Sequence, residues 1–208
     1  MIENTARQNV HLFVLFIIIL LIPGCFGGNA PKVTYYSLSS AEWLGEVNVV
    51  ASLPDVTLGV GPITLPGSLN RSQIVTRQST NQYAFDDFHR WSGDLEKDVT
   101  SVLGQNLSIL LGVGRVEVFP WDDEDDFQPS YLVEMNIIRL DGALDGEAVL
   151  SAYWTVVDAE EKTYLGGGKI VCRQPLEETG YGALVKAESQ VLAALSKEFA
   201  GEFLVLLK

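Results

Sequence analysis

The sequence predicts an α+β fold, a single domain with a largely antiparallel sheet and two main helices packed on one of its faces. Three observations lead to this prediction. Three long apolar segments in the second half of the chain are joined by short polar turns, which favours an antiparallel meander. Two other segments carry apolar residues at spacings of three and four, which predicts amphipathic helices. The 208 residues are 47% hydrophobic and 20% charged, a composition typical of a globular protein.

The meander is predicted at residues 131–140, 147–157 and 163–173. One face of the middle strand is wholly apolar and the other is mixed, as expected if helices cover one side of the sheet. Shorter strands are predicted before it, at residues 33–38, 56–65, 73–77, 82–85 and 115–119. Gly59, Gly61 and Pro62 interrupt the second of these, which predicts an edge position or a β-bulge.

The two helices are predicted from their apolar stripes and their end signals. The first follows Ser92, a candidate N-cap, and ends at Gly112. Its stripe consists of Leu95, Val99, Val102, Leu103, Leu107, Leu110 and Leu111. The second runs from about Tyr181 to Leu207, with a stripe of Leu184, Val191, Leu192, Leu195, Phe199, Phe203 and Leu206. No internal repeat or linker divides the sequence after residue 32, so we expect one domain.

The N-terminus has the organisation of a signal peptide. Residues 12–22 are eleven consecutive apolar residues, fewer than the roughly 20 that span a bilayer. The tetrapeptide at 22–25, Ile-Pro-Gly-Cys, resembles a bacterial lipobox, which predicts a lipoprotein signal peptide at 1–24, a lipidated tether at 25–32 and a domain at 33–208. Cys25 is then the acylated first residue. Ordinary secretion with cleavage after Ala30, and an uncleaved anchor, are the alternatives.

Charge and composition exclude several classes of function. The chain has 27 acidic and 14 basic residues and a net charge of −13, the opposite of the balance that nucleic-acid binding requires. If Cys25 is acylated, Cys172 has no disulfide partner, and its apolar surroundings in sequence predict a buried, unreactive thiol. Beyond the signal peptide, His89 is the only histidine. Because neither a Gly-x-Ser-x-Gly nor a His-Glu-x-x-His motif occurs, we expect a packing role for His89 and no enzyme activity or cofactor.

The acidic run at 122–126 is the most charged segment of the chain. Calcium is one interpretation, since hard cations bind carboxylate oxygens. An EF-hand loop starting at Asp122 would need glycine at the position of Phe127 and glutamate at that of Val133. We therefore expect no metal site, and favour a solvated loop or a contact with a charged partner.

Five segments in a fixed order carry a resemblance to a known family. They are residues 35–38, 58–66, 71–77, 90–91 with the helix that follows, and 115–121. Together with the lipobox, they resemble the ABC-type transport auxiliary lipoprotein family, in its PqiC-like intermembrane transport branch. The similarity extends from about residue 33 to 205.

The resemblance implies a lipoprotein of the outer membrane that faces the periplasm. It also implies a non-enzymatic role beside an MCE-domain protein anchored in the inner membrane, in a system that moves phospholipids or other lipids and supports envelope integrity. A ring-like homo-oligomer that caps the MCE tunnel is implied as well. Phe26 agrees with the outer membrane, because an aspartate at this position is the typical signal for inner-membrane retention. The alternative function is a stand-alone envelope assembly or ligand-binding lipoprotein.

Four residues are candidates for partner contacts, because binding residues concentrate on loops and strand edges of a rigid scaffold. Arg71 and Gln73 lie in the predicted 59–77 contact segment, and Trp121 lies in a second one, 119–127. Trp91 precedes the first helix. Aromatic residues are enriched at interface hot spots, although core packing is the favoured role for both Trp91 and Trp121.

Overall fold

Two sheets and one layer of helices account for the apolar pattern of the sequence. The computed structural model describes residues 31–46, 49–121 and 127–208. Its helices are α1 (Ala41–Leu44), α2 (Leu95–Leu111) and α3 (Tyr181–Leu206). Its strands are β1 (Thr34–Tyr36), β2 (Thr57–Thr64), β3 (Gln73–Ser79), β4 (Gln82–Trp91), β5 (Arg115–Val118), β6 (Tyr131–Gly142), β7 (Glu147–Asp158) and β8 (Thr163–Pro175). The signal peptide, Cys25 and the acidic run 122–126 lie outside the described residues.

The large sheet has five strands in the order β5-β2-β6-β7-β8. β6, β7 and β8 form the predicted antiparallel meander, while β2 lies parallel to both β5 and β6. The small sheet has the order β1-β4-β3, and β3 and β4 form an antiparallel hairpin. The α+β prediction is confirmed. Both sheets are mixed, however, because crossover connections place β4 parallel to β1, and β5 and β6 parallel to β2.

Both long helices cover the same face of the large sheet, as predicted. α2 packs on β2 and β5, α3 packs on β7 and β8, and the two helices contact each other. The apolar face of β7 points toward them, so that Leu150, Ala152 and Val156 are completely buried. Every predicted stripe residue of α2 is buried, and so are those of α3 up to Phe203. Within the described ranges, none of the helices is long and apolar enough to cross a bilayer.

Three local features differ from the sequence-based expectation, and for β2 one of the two predicted alternatives is confirmed. The N-cap of α2 is Asp94 rather than Ser92, because the Asp94 carboxylate accepts hydrogen bonds from two backbone amides of the first turn. β2 is not an edge strand, although the predicted bulge is present as a register shift between Val60 and Ile63. β4 continues to Trp91, with extra residues between Phe85 and Arg90 relative to β3. The single turn α1 is too short to leave a periodic pattern in the sequence.

Candidate interaction surface

The four predicted contact residues fall in two places. The guanidinium of Arg71 lies 4.1 Å from the centroid of the Phe85 ring, and Gln73 donates a hydrogen bond of 2.9 Å to the Asp87 carboxylate. Trp91 is only 6% exposed and belongs to the core. All three belong to the small sheet or to the segment that leads into it, where the Trp91 amide donates to the carbonyl of Ser72. Of the three, only Arg71 and Gln73 reach solvent.

Trp121 lies elsewhere, beside β2 of the large sheet. Its ring packs edge to face on Phe119, with centroids 5.3 Å apart, and approaches the backbone of Gly59. Its Nε1 is buried and has no hydrogen-bond partner among the described residues. The structure therefore gives Trp121 a half-buried packing role at this end of the large sheet.

Sequence reasoning missed a more extensive surface on the face of the large sheet that the helices leave uncovered. We define the open sheet face as Ile138 together with two rows of paired residues that run across β6, β7 and β8. The first row is Arg139–Ser151–Val171 and the second is Asn136–Tyr153–Lys169. Side chains in these rows point away from the helices because their strand neighbours point into the core.

Three large apolar side chains are exposed on the open sheet face, one from each strand. Ile138 is 43%, Tyr153 49% and Val171 47% exposed. Ile138 stands outward by the regular alternation of β6, after Glu134 and Asn136, and the β6–β7 register shift between Ile137 and Arg139 turns Arg139 to the same side. The mixed face of the middle strand was the only sequence signal for this surface, and the bulge that turns Arg139 to this side left none.

A buried carboxylate organises one end of this face. Asp141 is 1% exposed, and its side chain accepts hydrogen bonds from Arg77 Nε at 2.9 Å, Arg77 Nη2 at 2.6 Å and Arg139 Nε at 2.9 Å. The Tyr83 hydroxyl donates a further bond of 3.3 Å. The cluster ties the small sheet, through β3 and β4, to the end of β6. Burial alone would raise the pKa of Asp141, but hydrogen bonds from the two arginines outweigh burial and lower the pKa.

The two arginines of this cluster differ in what remains of their bonding capacity. All three nitrogens of Arg77 donate, since it also donates to the Thr80 carbonyl and to the Tyr83 hydroxyl. Arg139 makes one hydrogen bond through Nε, and its two terminal Nη groups donate to no atom of the described residues. Its side chain is 32% exposed. Arg139 is therefore held in place by Asp141 while its outer end stays open.

The other polar groups of the open sheet face are also short of acceptors. The Ser151 hydroxyl is buried without a partner in the described parts of the chain. Lys169 Nζ lies 5.5 Å from the centroid of the Tyr153 ring, and the structure gives it no carboxylate partner within the same ranges. Asn136 accepts a bond from Thr64 through its carbonyl oxygen, so its amide group is left to solvent. Next to Arg139, the open sheet face thus presents hydrogen-bond donors and few acceptors.

The remaining candidates for chemistry are packed into the fold. Cys172 is buried in β8, and burial together with the charge of Glu198 raises the pKa of its thiol to about 11. This confirms the expectation of a buried thiol. His89 shares a hydrogen bond of 2.9 Å with the Tyr36 hydroxyl and stacks on Tyr181, with ring centroids 3.9 Å apart. His89 therefore joins β1, β4 and α3, which agrees with a packing role.

One buried carboxylic acid is not fully hydrogen-bonded by the described residues. Glu188 of α3 is 2% exposed, and its Oε2 has no hydrogen-bond partner among the described residues. Burial, with a further contribution from the charge of Asp141, raises the pKa of Glu188 well above its usual value. In the described ranges, no three His, Cys, Asp or Glu side chains converge on a position that could hold a metal ion.

Arg71 borders a surface cavity beside the predicted contact segment 59–77. The cavity has a volume of about 330 Å³ and lies at the start of α2, where Asp94 and Glu96 also line it. Because the Asp94 carboxylate caps the helix, the amide groups of Glu96 and Lys97 at this helix start are already engaged. The cavity offers one cation opposite two carboxylates, which is not a convergent arrangement for catalysis.

Two solved structures share this fold over most of the chain. A crystal structure of an uncharacterised protein aligns with TM-score 0.65 and 21% identity, covering 83% of this chain and 99% of the other. Protein XCC0632 from Xanthomonas campestris aligns with TM-score 0.65 and 13% identity, covering 83% and 96%. A PelC dodecamer from Paraburkholderia phytofirmans reaches only 0.38, with 13% identity over 70% and 90%, too low to carry an argument. At these identities the similarity concerns the fold alone.

A search among curated protein sequences finds no significant match. The family comparison does find one, to the model described as ABC-type transport auxiliary lipoprotein component, over residues 36–200. The match extends from β1 into α3 and includes both sheets, so it spans the structural unit Val33–Lys208 almost completely. The chain belongs to the family of ABC-type transport auxiliary lipoprotein components.

Proposed function

We propose that this protein is a non-enzymatic accessory subunit of an MCE-type intermembrane lipid transport system. Cys25 anchors it to the outer membrane, and the domain faces the periplasm and binds an MCE-domain protein of the inner membrane. Family membership supports the transport role in its general form. The lipobox at 22–25 and Phe26 support the anchor and its membrane.

One observation carries the proposal for the domain itself, namely the open sheet face. It presents exposed apolar side chains on a rigid sheet of long strands, beside an arginine held by a buried carboxylate. Tyrosine and arginine are enriched where interfaces are strongest, and a scatter of apolar residues with a polar margin is the usual anatomy of a docking surface. We therefore assign the partner-binding role to the open sheet face.

A ring-like homo-oligomer completes the proposal, as the family resemblance implies. A subunit that caps a tunnel would need to present the same surface several times around the tunnel axis, which cyclic symmetry provides. The assembly can be measured directly by light scattering or native mass spectrometry on the detergent-solubilised lipoprotein. A monomer over the full working concentration range would contradict this part of the proposal.

The deciding experiment is a pull-down with the full-length lipoprotein, tagged at its C-terminus and extracted from cell envelopes in mild detergent. We expect an MCE protein to be recovered with the wild type. We expect Tyr153→Asp combined with Ile138→Asp to lose it, because two charges would then have to be desolvated at the interface. Lys208→Ala, which changes an exposed residue at the chain end, serves as the control.

Two results would contradict the proposal. Recovery of the MCE protein with the double variant, at wild-type yield, would remove the open sheet face from the interaction. Recovery of lipid without an MCE protein, at concentrations of tens of micromolar, would favour the stand-alone ligand-binding lipoprotein.

A further inference from the structure

We propose that Arg139 recognises a carboxylate of the protein partner that docks on the open sheet face, while apolar partner residues pack on Ile138, Tyr153 and Val171. This inference rests on the proposed function, because it presupposes a protein partner on this face. It goes further by stating the chemistry of the partner's matching surface: an exposed aspartate or glutamate with apolar neighbours.

The first step of the argument is the fixed orientation of Arg139. Its Nε donates to Asp141 at 2.9 Å, and Asp141 is itself held by two hydrogen bonds from Arg77. A guanidinium that is fixed at Nε keeps both Nη groups in one plane, and this fork matches the two oxygens of a carboxylate. Because the arginine is ordered before binding, less side-chain entropy is lost when the partner docks.

The second step is charge complementarity. Two arginines share the single charge of Asp141, and Lys169 of the same face has no carboxylate partner in the described residues. On β6, the exposed Glu134 is the next acidic side chain, five residues before Arg139 and separated from it by Asn136 and the bulge. This local excess of cations contrasts with the net charge of −13 of the whole chain. Such an excess selects an acidic partner group.

The third step concerns the apolar surroundings of Arg139. Ile138 precedes it in the chain, Tyr153 lies one row away on β7, and Val171 lies in its own row on β8. When a partner covers these side chains, water is excluded and the interaction between guanidinium and carboxylate becomes stronger than it is in solution. The nearby Ser151 hydroxyl, which has no hydrogen-bond partner among the described residues, lies in the same row between Arg139 and Val171.

The shape of the face favours a protein over a single lipid molecule. The rows lie on three adjacent strands of one sheet, and other residues than Arg139 and Tyr153 line four surface cavities of the described part of the chain, which lie at the start of α2, beside Tyr131, along α2 and at the start of α3. A lipid that used the Arg139 fork for its phosphate would leave its acyl chains without an apolar enclosure. A protein partner can cover Ile138, Tyr153 and Val171 together. Anionic lipid is therefore the alternative to be tested, not the proposal.

The test compares Arg139→Gln with a matched control in binding to the purified periplasmic region of the MCE protein. Arg90→Gln is the control, because Arg90 has a similarly exposed side chain, 34% against 32%, and also donates through Nε, but lies on the small sheet. Full-length lipoprotein in detergent micelles is immobilised, and affinity is measured at several salt concentrations. In parallel, the same proteins are mixed with vesicles of phosphatidylethanolamine, alone or with phosphatidylglycerol.

We expect Arg139→Gln to weaken MCE binding at least about tenfold and to reduce its salt dependence, with Arg90→Gln close to wild type. Arg139→Lys should recover only part of the loss, since a lysine keeps the charge but not the fork. Thermal melting of each variant checks that the fold is intact, and Tyr153→Ser provides a second variant of the same face that leaves the Asp141 cluster untouched.

The results distinguish a failure of the inference from a failure of the proposed function. If wild type binds the MCE region and Arg139→Gln binds equally well, the inference is wrong and the proposed function stands. If wild type binds only vesicles that contain phosphatidylglycerol, and Arg139→Gln abolishes this binding, the ligand of Arg139 is a lipid phosphate. The inference that Arg139 recognises a carboxylate of a protein partner is then wrong. If wild type binds neither, both the proposed function and the inference fail.

Discussion

Asp141→Asn is the substitution that tests the architecture of the open sheet face most directly. The change keeps the size and shape of the side chain and removes its charge, so two arginines lose the carboxylate that holds them. Removing one partner of a buried ion pair costs about 3–5 kcal/mol of the free energy of unfolding. Arg77 and Arg139 keep side-chain exposures of 21% and 32%, so water can partly solvate the released charges. We therefore expect a loss near the lower limit, about 3 kcal/mol.

A loss of this size is easily measured. For a domain of this length, 1 kcal/mol corresponds to about 2–4 °C in the melting temperature, so Asp141→Asn should lower it by about 6–12 °C. Thermal melts followed by circular dichroism give this value. Asp145→Asn is the matched control, because Asp145 is an exposed residue of the β6–β7 turn and changes the net charge equally. We expect its melting temperature to stay within about 2 °C of wild type.

The pH dependence supplies an independent check, with a definite sign. The folded-state pKa of Asp141 is lowered, so its contribution to stability is present above the unfolded pKa, near 3.9, and is lost as pH falls through the folded value. The difference between wild type and Asp141→Asn should thus be constant near neutrality and should shrink in acid. A difference that persists unchanged to pH values well below 3.9, or no difference at pH 7, would refute this account of the cluster.

Three further predictions address other parts of the molecule. Phe199→Ala should destabilise the domain by about 3–5 kcal/mol, because Phe199 is fully buried against Trp154; the exposed Val205→Ala on the same helix is its control, and equal melting temperatures would contradict the packing. Cys25→Ser should yield an unlipidated protein, whereas intact mass of the wild-type membrane fraction should show acyl chains, and their absence would refute the anchor. The folded-state pKa of Glu188 is raised, so the wild type should lose stability as pH rises above the unfolded pKa, about 4.3. Glu188→Gln lacks this titration and should therefore become more stable relative to wild type over that range. Parallel curves of stability against pH for the two proteins would contradict this prediction.

The sequence was sufficient for the elements whose signal repeats along the chain. Both long helices and the β6–β8 meander are predicted from many residues each, so one misjudged position does not change the outcome. Features that depend on a single residue were less secure. Ser92 and Asp94 are both good N-caps, and only the geometry of the first turn shows that Asp94 accepts the amide hydrogen bonds.

The open sheet face illustrates what sequence patterns cannot provide. Arg139 and Asp141 are two residues apart on one strand, so their presence on the same face was accessible in principle. The bond from Arg77 crosses 64 residues of sequence and joins the two sheets, and no local pattern encodes it. The predicted contact residues were chosen for being aromatic or polar near loops, a criterion that does not distinguish the buried Trp91 from an exposed anchor.

Asp141 links the stability of the fold to the orientation of Arg139, and this link makes the two roles separable by experiment. Asp141→Asn weakens both, since it releases Arg77 from the sheet contact and Arg139 from its fixed position. Arg139→Gln leaves Asp141 with both hydrogen bonds from Arg77, so most of the buried ion pair survives. If Arg139 served only to neutralise Asp141, the loss of binding in the two variants would follow their loss of stability. If Arg139 instead recognises the partner, Arg139→Gln should lose more binding affinity than Asp141→Asn for each degree by which the melting temperature falls.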